Sequence, residues 1–474
     1  MRFSFILLMV FSLFLDNPSV GQERTDYDLA EDTVLYMVGY AHLDTEWRWD
    51  YPTTINEYLK NTLDANFELF EKYPRYVFNF TGSRRYRLMR EYYPQRYDKL
   101  KEYIEQGRWR VSGSSVDEGD VNGASPESVI RQVLYGNQYF REAFGKESVD
   151  YMLPDCFGFQ AHMPSVWAHC GIKGFSTQKL KWSSAVGVPF NVGVWEGPDS
   201  ESVIMANSIR SYGGEVDKRV DTSSFFMHHL LKNGDQYGMY GAYTYYGVGD
   251  VGGAPREEDV KNLMGSLGHE ESNVKVIPAS SDQMYQDITP ELRKNLPVYK
   301  GDFLLTEHSA ASITSQAYVK RWNRKNEKLA QAAELSAVMA DWAGLSPYPY
   351  RKLNNSWELV LGSQMHDILP GTSIPAAYHY AWNDQVIALN GFAEVEKHAV
   401  SAFTRGLNTM VKGHPVVVYN PVTRDRQDVV EATLKGKFKH LAVYGPEGNR
   451  VPSQVVSSGE EETRILFLAD VPSA

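Results

Sequence analysis

The sequence predicts an α/β layer or barrel with a mostly parallel sheet, followed by a bundle of helices and then by antiparallel β structure. Three observations carry this reading. Short β-rich runs alternate with longer polar-apolar stretches over residues 30–300. Helical spacing of apolar residues takes over across 302–412, and strand-like runs return after Pro415. At 474 residues the chain also exceeds what one hydrophobic core organises, so two or three domains are expected.

The N-terminus comes first. Arg2 precedes an apolar run over 3–15, followed by Asn17-Pro18 and the small residues Ser19 and Gly21. That is the layout of a secretory signal over 1–21, cleaved near Gly21, and it predicts an exported protein, periplasmic or secreted. The run is too short to span a bilayer, and no later segment is long and apolar enough to do so.

The first domain is expected over 22–301. Its strands are read at 33–40, 76–80, 109–112, 149–153, 174–177, 192–195, 243–246 and 274–277, with helices over 54–73, 128–144 and 257–267. In the second domain, 302–412, Ser312 is an N-cap candidate. Ile313, Ala317, Leu329, Ala333, Val338 and Trp342 then recur at helical spacing until Gly344 and Pro347 end the run. A second helix is expected over 357–365, and a third from 376 to about 410 with Pro375 at its start. Residues 413–474 supply strands at 416–419, 440–444 and 465–468, the beginning of a C-terminal β-domain that reads as incomplete at Ala474.

Composition narrows the function. The formal charge is 48 − 59 = −11, which opposes nucleic acid and anionic membranes and is compatible with a neutral substrate. Thirty Tyr and 10 Trp offer flat faces of the kind sugar rings stack on, although any single ring is more often core. Two cysteines, Cys156 and Cys170, are too few for a disulfide scaffold and read as small packing hydrophobes.

Four distant stretches hold metal-grade groups: His42-Leu43-Asp44, Asp155-Cys156-Phe157-Gly158, Gly247-Val248-Gly249-Asp250 and His366-Asp367. His42, Asp44, Asp155 and Asp250 all follow expected strands, which places three motifs at one edge of the sheet, where α/β folds gather their chemistry. In an extended segment, residues two apart point to one side, as shared ligation by His42 and Asp44 requires. Each motif also has a plain alternative. His42-x-Asp44 occurs in surface turns, Asp155 can cap the next segment, Asp250 sits in a Gly-rich turn, and His366 can interact with a helix dipole. Taken together, two imidazoles and two carboxylates suffice for a divalent cation. A further carboxylate remains for proton transfer, an inventory suited to a metal-assisted hydrolase.

These motifs, with Lys320-Arg321 and Asn323-Arg324-Lys325, resemble glycoside hydrolase family 38, the class II α-mannosidases, from about Leu35 to Thr372. The resemblance implies a seven-stranded β/α barrel, a three-helix bundle and trailing β-domains. It also implies one Zn2+ ion held by His42, Asp44, Asp155 and His366. Asp155 would be the nucleophile and Asp250 the general acid/base, with Trp47, Phe157 and Asp367 contacting the sugar. The implied reaction is exo-hydrolysis of terminal α-mannose from glycans through a covalent mannosyl-enzyme, with the carboxyl groups of a retaining pair about 5–5.5 Å apart. The chain departs from the family pattern at Val116-Asp117-Glu118-Gly119-Asp120 and at Ser309-Ala310, next to the ligand set but outside it. Two other readings of the same residues are a metal-dependent carbohydrate deacetylase, which releases acetate, and a zinc-stabilised glycan-binding protein, which binds without turnover.

Overall fold

The computed structural model describes residues 27–268, 272–308, 310 and 314–473. The expected signal at 1–21, Ser309 and the N-cap Ser312 lie outside the described residues. Among the described residues no helix is long and apolar enough to cross a membrane.

Residues 33–300 supply β1 (Thr33–Ala41), β2 (Phe78–Thr81), β3 (Trp109–Ser112), β4 (Asp150–Met152), β5 (Gly174–Thr177), β6 (Val192–Glu196), β7 (Ser202–Asn207), β8 (Gly241–Val248), β9 (Val274–Pro278) and β10 (Val298–Lys300). They form two five-stranded sheets. One runs β3-β2-β1-β8 with β9 also paired to β1, and all its pairings are parallel. The other runs β10-β6-β7-β5-β4 and is parallel except between β6 and β7. Two seams bring the sheets together: the Gly113 amide after β3 donates to Asp150 Oδ1 on β4, and the Ile209 amide after β7 donates to the Tyr243 carbonyl on β8. Among the described residues the strand ladders do not run on into one seven-stranded ring. β1 is buried from Val34 onward, which accounts for its unbroken apolar run, since a central parallel strand has no solvated face.

β7 and β10 have no counterpart among the expected strands, nor have the helices Ser83–Tyr92, Pro94–Glu105, Met163–His169 and Ser224–Tyr237 among the expected helices. Ser83–Tyr92 carries Arg84, Arg85, Arg87 and Arg90, so it has few apolar residues to mark it. It is held by Tyr86 and Met89, which enter the core, and by what those arginines reach. Aromatic packing anchors this half of the molecule: Trp109 on β3 stands edge-on to Phe78 and Phe80 of β2, pairs worth about 0.5–1.5 kcal/mol each beyond their burial.

Three long helices follow, Ala317–Trp342, Tyr350–Gly362 and Pro375–Arg405, packed around Ala333, Ala337, Trp357, Leu361 and Phe392. The middle helix starts at Tyr350 rather than 357 and stops at Gly362, so His366 lies in a turn beyond it rather than on it. Past Gly413, β11 (Arg426–Lys435), β12 (Val443–Tyr444), β13 (Arg450–Val451), β14 (Ser453–Ser458) and β15 (Glu462–Val471) make two small antiparallel sheets. Residues 416–419, expected as a strand, have no ladder partner among the described residues and form none. Cys156 is buried, Cys170 is half-buried, and both are free thiols.

The seam between β3 and β4 has a pH consequence. Asp150 is fully buried, and burial together with the charge of Asp282 pushes its carboxyl up to about 7, against about 3.9 in an unfolded chain. The folded state therefore holds a proton that the unfolded state has already lost between those two values. The stabilisation is complete below about pH 4 and fades as pH rises through 7. Asp150→Asn mimics the protonated form. Its melting temperature relative to wild type should rise between pH 5 and pH 8, and a constant difference across that range would refute this assignment.

Candidate active site

The carboxyl ends of six parallel strands point to one place. His42 and Asp44 follow β1, Glu118 follows β3, Asp155 follows β4, Lys179 follows β5, Tyr212 follows β7 and Asp250 follows β8. The helical section adds His366. An antiparallel bridge between Gly119 and Met365 pins its turn to the loop after β3, with the His366 amide donating to the Glu118 carbonyl and the Asp120 amide to the Gln364 carbonyl. The segment 116–120, which departs from the family pattern, is thus the strap that carries His366 into the site.

Three of the expected ligands converge tightly. Asp44 Oδ1 lies 3.0 Å from His42 Nε2 and 3.1 Å from His366 Nε2. All three residues are buried, and none of these three atoms makes a well-formed hydrogen bond. Unpaired buried donors and acceptors are costly, and a cation bound by one atom of each residue removes that cost. Among the described residues this is the one His/Cys/Asp/Glu group compact enough to hold a metal ion. Asp155 is not part of the tight trio: its Oδ2 is 4.0 Å from His366 Nε2, while its Oδ1 accepts from Lys179 Nζ.

Glu118 fixes both imidazoles. His366 Nδ1 sits 3.0 Å from the Glu118 carbonyl; a carbonyl only accepts, so Nδ1 carries the proton and Nε2 presents its lone pair. His42 Nδ1 faces Glu118 Oε2 at 3.3 Å. Burial would push the His42 imidazole down, but the carboxylates of Glu118 and Asp44 outweigh it and hold it well above its usual value. Burial likewise opposes ionisation of Glu118, yet His42 and Arg85 hold that carboxyl down at about 2. The cluster as a whole is built to stabilise positive charge between its acids.

Two of the three expected sugar-contacting residues, Phe157 and Asp367, adjoin this cluster through His366. Phe157 is half-buried with its ring edge-on to His366 at 6.1 Å. Trp47 is half-buried, packs edge-on to Trp49 and carries the Arg48 guanidinium 4.1 Å from its ring centre. Asp367 is buried, accepts from the Thr372 hydroxyl, and is pushed up to about 7 by burial and by Asp44. Asp250 stands apart from the trio, half-buried, in a left-handed backbone conformation (φ 64°) that few non-glycine residues adopt. Its carbonyl accepts from the Asp44 amide, so it is tied by backbone to the His42-Leu43-Asp44 turn. Glu118, Lys179, Tyr212 and Arg85 were not singled out from the sequence. Lys179 is buried, with Phe157 and Trp182 rings each 5.1 Å from its Nζ. A buried lysine two residues beyond β5, at the start of a short 3-10 turn, gives no sequence signal beyond its charge.

A model of the glycosyl hydrolases family 38 N-terminal domain matches residues 32–302. The chain belongs to glycosyl hydrolase family 38. Within that family, a model of the alpha mannosidase middle domain matches residues 310–403, the three-helix section that supplies His366. The chain is similar to alpha-mannosidase G of Dictyostelium discoideum, 30% identical over 357 residues, which cover 75% of this chain and 32% of that protein. It is also similar to the alpha-mannosidase of Saccharomyces cerevisiae, 29% identical over 388 residues, covering 78% and 34%. This family 38 chain thus spans about a third of the length of these curated relatives. Among solved structures, an alpha-mannosidase from Enterococcus faecalis V583 superposes with a TM-score of 0.73 at 18% identity, covering 93% of this chain and 55% of the other, a likeness of fold.

Proposed function

We propose that the chain carries the active site of a retaining exo-α-mannosidase that removes terminal α-linked mannose from glycans. The observation that carries this is the buried trio of unpaired donor atoms from His42, Asp44 and His366, with Asp155 Oδ2 4.0 Å from His366 Nε2 and the Asp250 carbonyl accepting from the Asp44 amide. Family membership and alpha-mannosidase relatives support it.

His42, Asp44 and His366, completed by Asp155 Oδ2, would hold one zinc ion, nitrogen and oxygen donors being what zinc accepts. When bound, that ion orients the hydroxyls of the sugar and keeps negative charge on the adjacent carboxylate. Asp155 attacks the anomeric carbon and forms a glycosyl ester while Asp250 protonates the departing oxygen. Asp250 then takes a proton from water, which attacks the same carbon and frees Asp155; two inversions give retention. Lys179 donates to Oδ1 of Asp155, which fixes the carboxylate in rotation with Oδ2 toward the trio; Oδ1 keeps a second lone pair for the attack. Phe157 and Trp47 offer apolar faces to the pyranose, and Asp367 offers hydrogen bonds to its hydroxyls.

The test is hydrolysis of an aryl α-mannoside before and after chelation, with the released sugar followed by NMR. Activity should fall at least about tenfold on metal removal, return with zinc, and release α-mannose first. Full activity in protein that is free of metal by elemental analysis refutes the metal assignment; β-mannose as first product refutes retention. Release of acetate from an acetylated sugar would instead mark a deacetylase.

A further inference from the structure

Tyr212 lies in the loop between β7 and the helix Ser224–Tyr237, with no metal-grade atom of its own. Its ring stacks on His42, centroids 4.7 Å apart and planes 21° from parallel. Its hydroxyl donates to Asp250 Oδ1 at 3.0 Å. One side chain therefore touches both a ligand of the proposed ion and the proposed acid. The neighbouring glycine has the matching shape: a Cβ on Gly249 would overlap the Tyr212 ring, so the Gly-Asp pair makes room for the tyrosine that meets the Asp.

We propose that Tyr212 is the positioning residue of Asp250, fixing by its hydrogen bond which carboxyl oxygen delivers the proton to the leaving group. This rests on the reading of Asp250 as general acid/base. With Oδ1 occupied by the phenol, the transferable proton belongs on Oδ2. The stacked ring sets the distance between that oxygen and the metal-binding turn, to which Asp250 is also tied through the Asp44 amide. The phenol is the donor in this pair, since the Asp250 carboxylate oxygen can only accept. General acid catalysis depends on heavy-atom distances of about 2.6–3.2 Å, and a carboxyl on a half-buried loop reaches such a distance reproducibly only if its rotation is restrained.

Tyr212→Phe keeps the ring and its stacking while deleting the hydrogen bond. The diagnostic is dependence on the leaving group, measured with a dinitrophenyl α-mannoside, whose leaving group departs without a proton, and an alkyl α-mannoside, which needs one. We expect kcat/KM to fall roughly 10- to 100-fold on the alkyl substrate and less than about threefold on the activated one, a fraction of the 10²–10⁴ that general acids contribute. Gly249→Ala, which displaces the ring, should reproduce this split, so the proposal is tested even if one variant folds poorly. A merely structural tyrosine would lower both substrates alike, and that result overturns the proposal. Asp250→Asn is run beside them. If it shows the split and both other variants do not, Tyr212 is not the positioning residue while the acid assignment stands. If Asp250→Asn itself shows no split, the acid assignment falls and the role of Tyr212 with it.

Discussion

Asp155→Ala is expected to lower kcat on an aryl α-mannoside by at least about 10⁴-fold, equivalent to roughly 5 kcal/mol of transition-state stabilisation. The size follows from the role. Without the carboxylate no glycosyl ester forms, and water must displace the leaving group directly in a site arranged for a different attacking atom. The fold should survive, because Asp155 is half-buried and its side-chain hydrogen bond among the described residues runs to Lys179; since Asp155 Oδ2 is also assigned to the ion, zinc content is measured beside activity and the rate is taken on zinc-saturated protein. Circular dichroism and the elution volume should match wild type. Azide makes the assignment specific: with a dinitrophenyl donor, a small anion entering the space vacated by Asp155 should give β-mannosyl azide, the inverted product. The Asp250→Ala enzyme, still able to form the ester, should give α-mannosyl azide. Wild-type turnover by Asp155→Ala, or identical azide products from the two variants, would remove Asp155 from its role.

The residues that announced themselves in the sequence were those whose chemistry is local. His42-x-Asp44, Asp155 and Asp250 each follow a β-rich run, and the structure puts each just beyond a strand of the same edge. His366 was legible as an imidazole but not in its setting: it enters from a turn strapped to the loop after β3, a contact between residues nearly 250 apart in sequence. Glu118, Lys179, Tyr212 and Arg85 belong to the same class of long-range partners. Nothing in the neighbourhood of Tyr212 says that its ring will lie on His42, since that depends on how β7 and β8 sit at the seam between the sheets. The strands that were missed, β7 and β10, are in the mixed sheet, where a short antiparallel pairing replaces the β/α alternation that marks the rest.

Arg85→Ala is expected to be the most destabilising single substitution near the site, by about 3–5 kcal/mol, because it leaves buried carboxylates without their cation. Arg85 is fully buried. Its guanidinium reaches Asp117 Oδ1 at 3.0 Å and Glu118 Oε1 at 3.6 Å, and donates to the carbonyls of Leu43 and Thr81 at 2.6 and 3.1 Å. It thus ties together the turn after β1, the end of β2 and the strap that carries His366. Gly82, at φ 78°, permits this: a Cβ there would collide with the guanidinium folding back over it. Removing the guanidinium strands two acids and four of the polar contacts that hold the His42 and His366 supports in register. Arg85→Lys restores one charge but not the planar fork that serves several acceptors at once, so it should recover less than half of the loss. The decisive comparison is with Arg85→Met combined with Glu118→Gln. Because part of the penalty is unbalanced charge rather than lost packing, the double variant should be more stable than the sum of the singles predicts, by about 0.5–3 kcal/mol, the range for residues in one network. Urea unfolding followed by tryptophan fluorescence reads all of these. A midpoint for Arg85→Ala equal to wild type, or strictly additive effects in the pair, would show that this arginine does not hold the acids beneath the site.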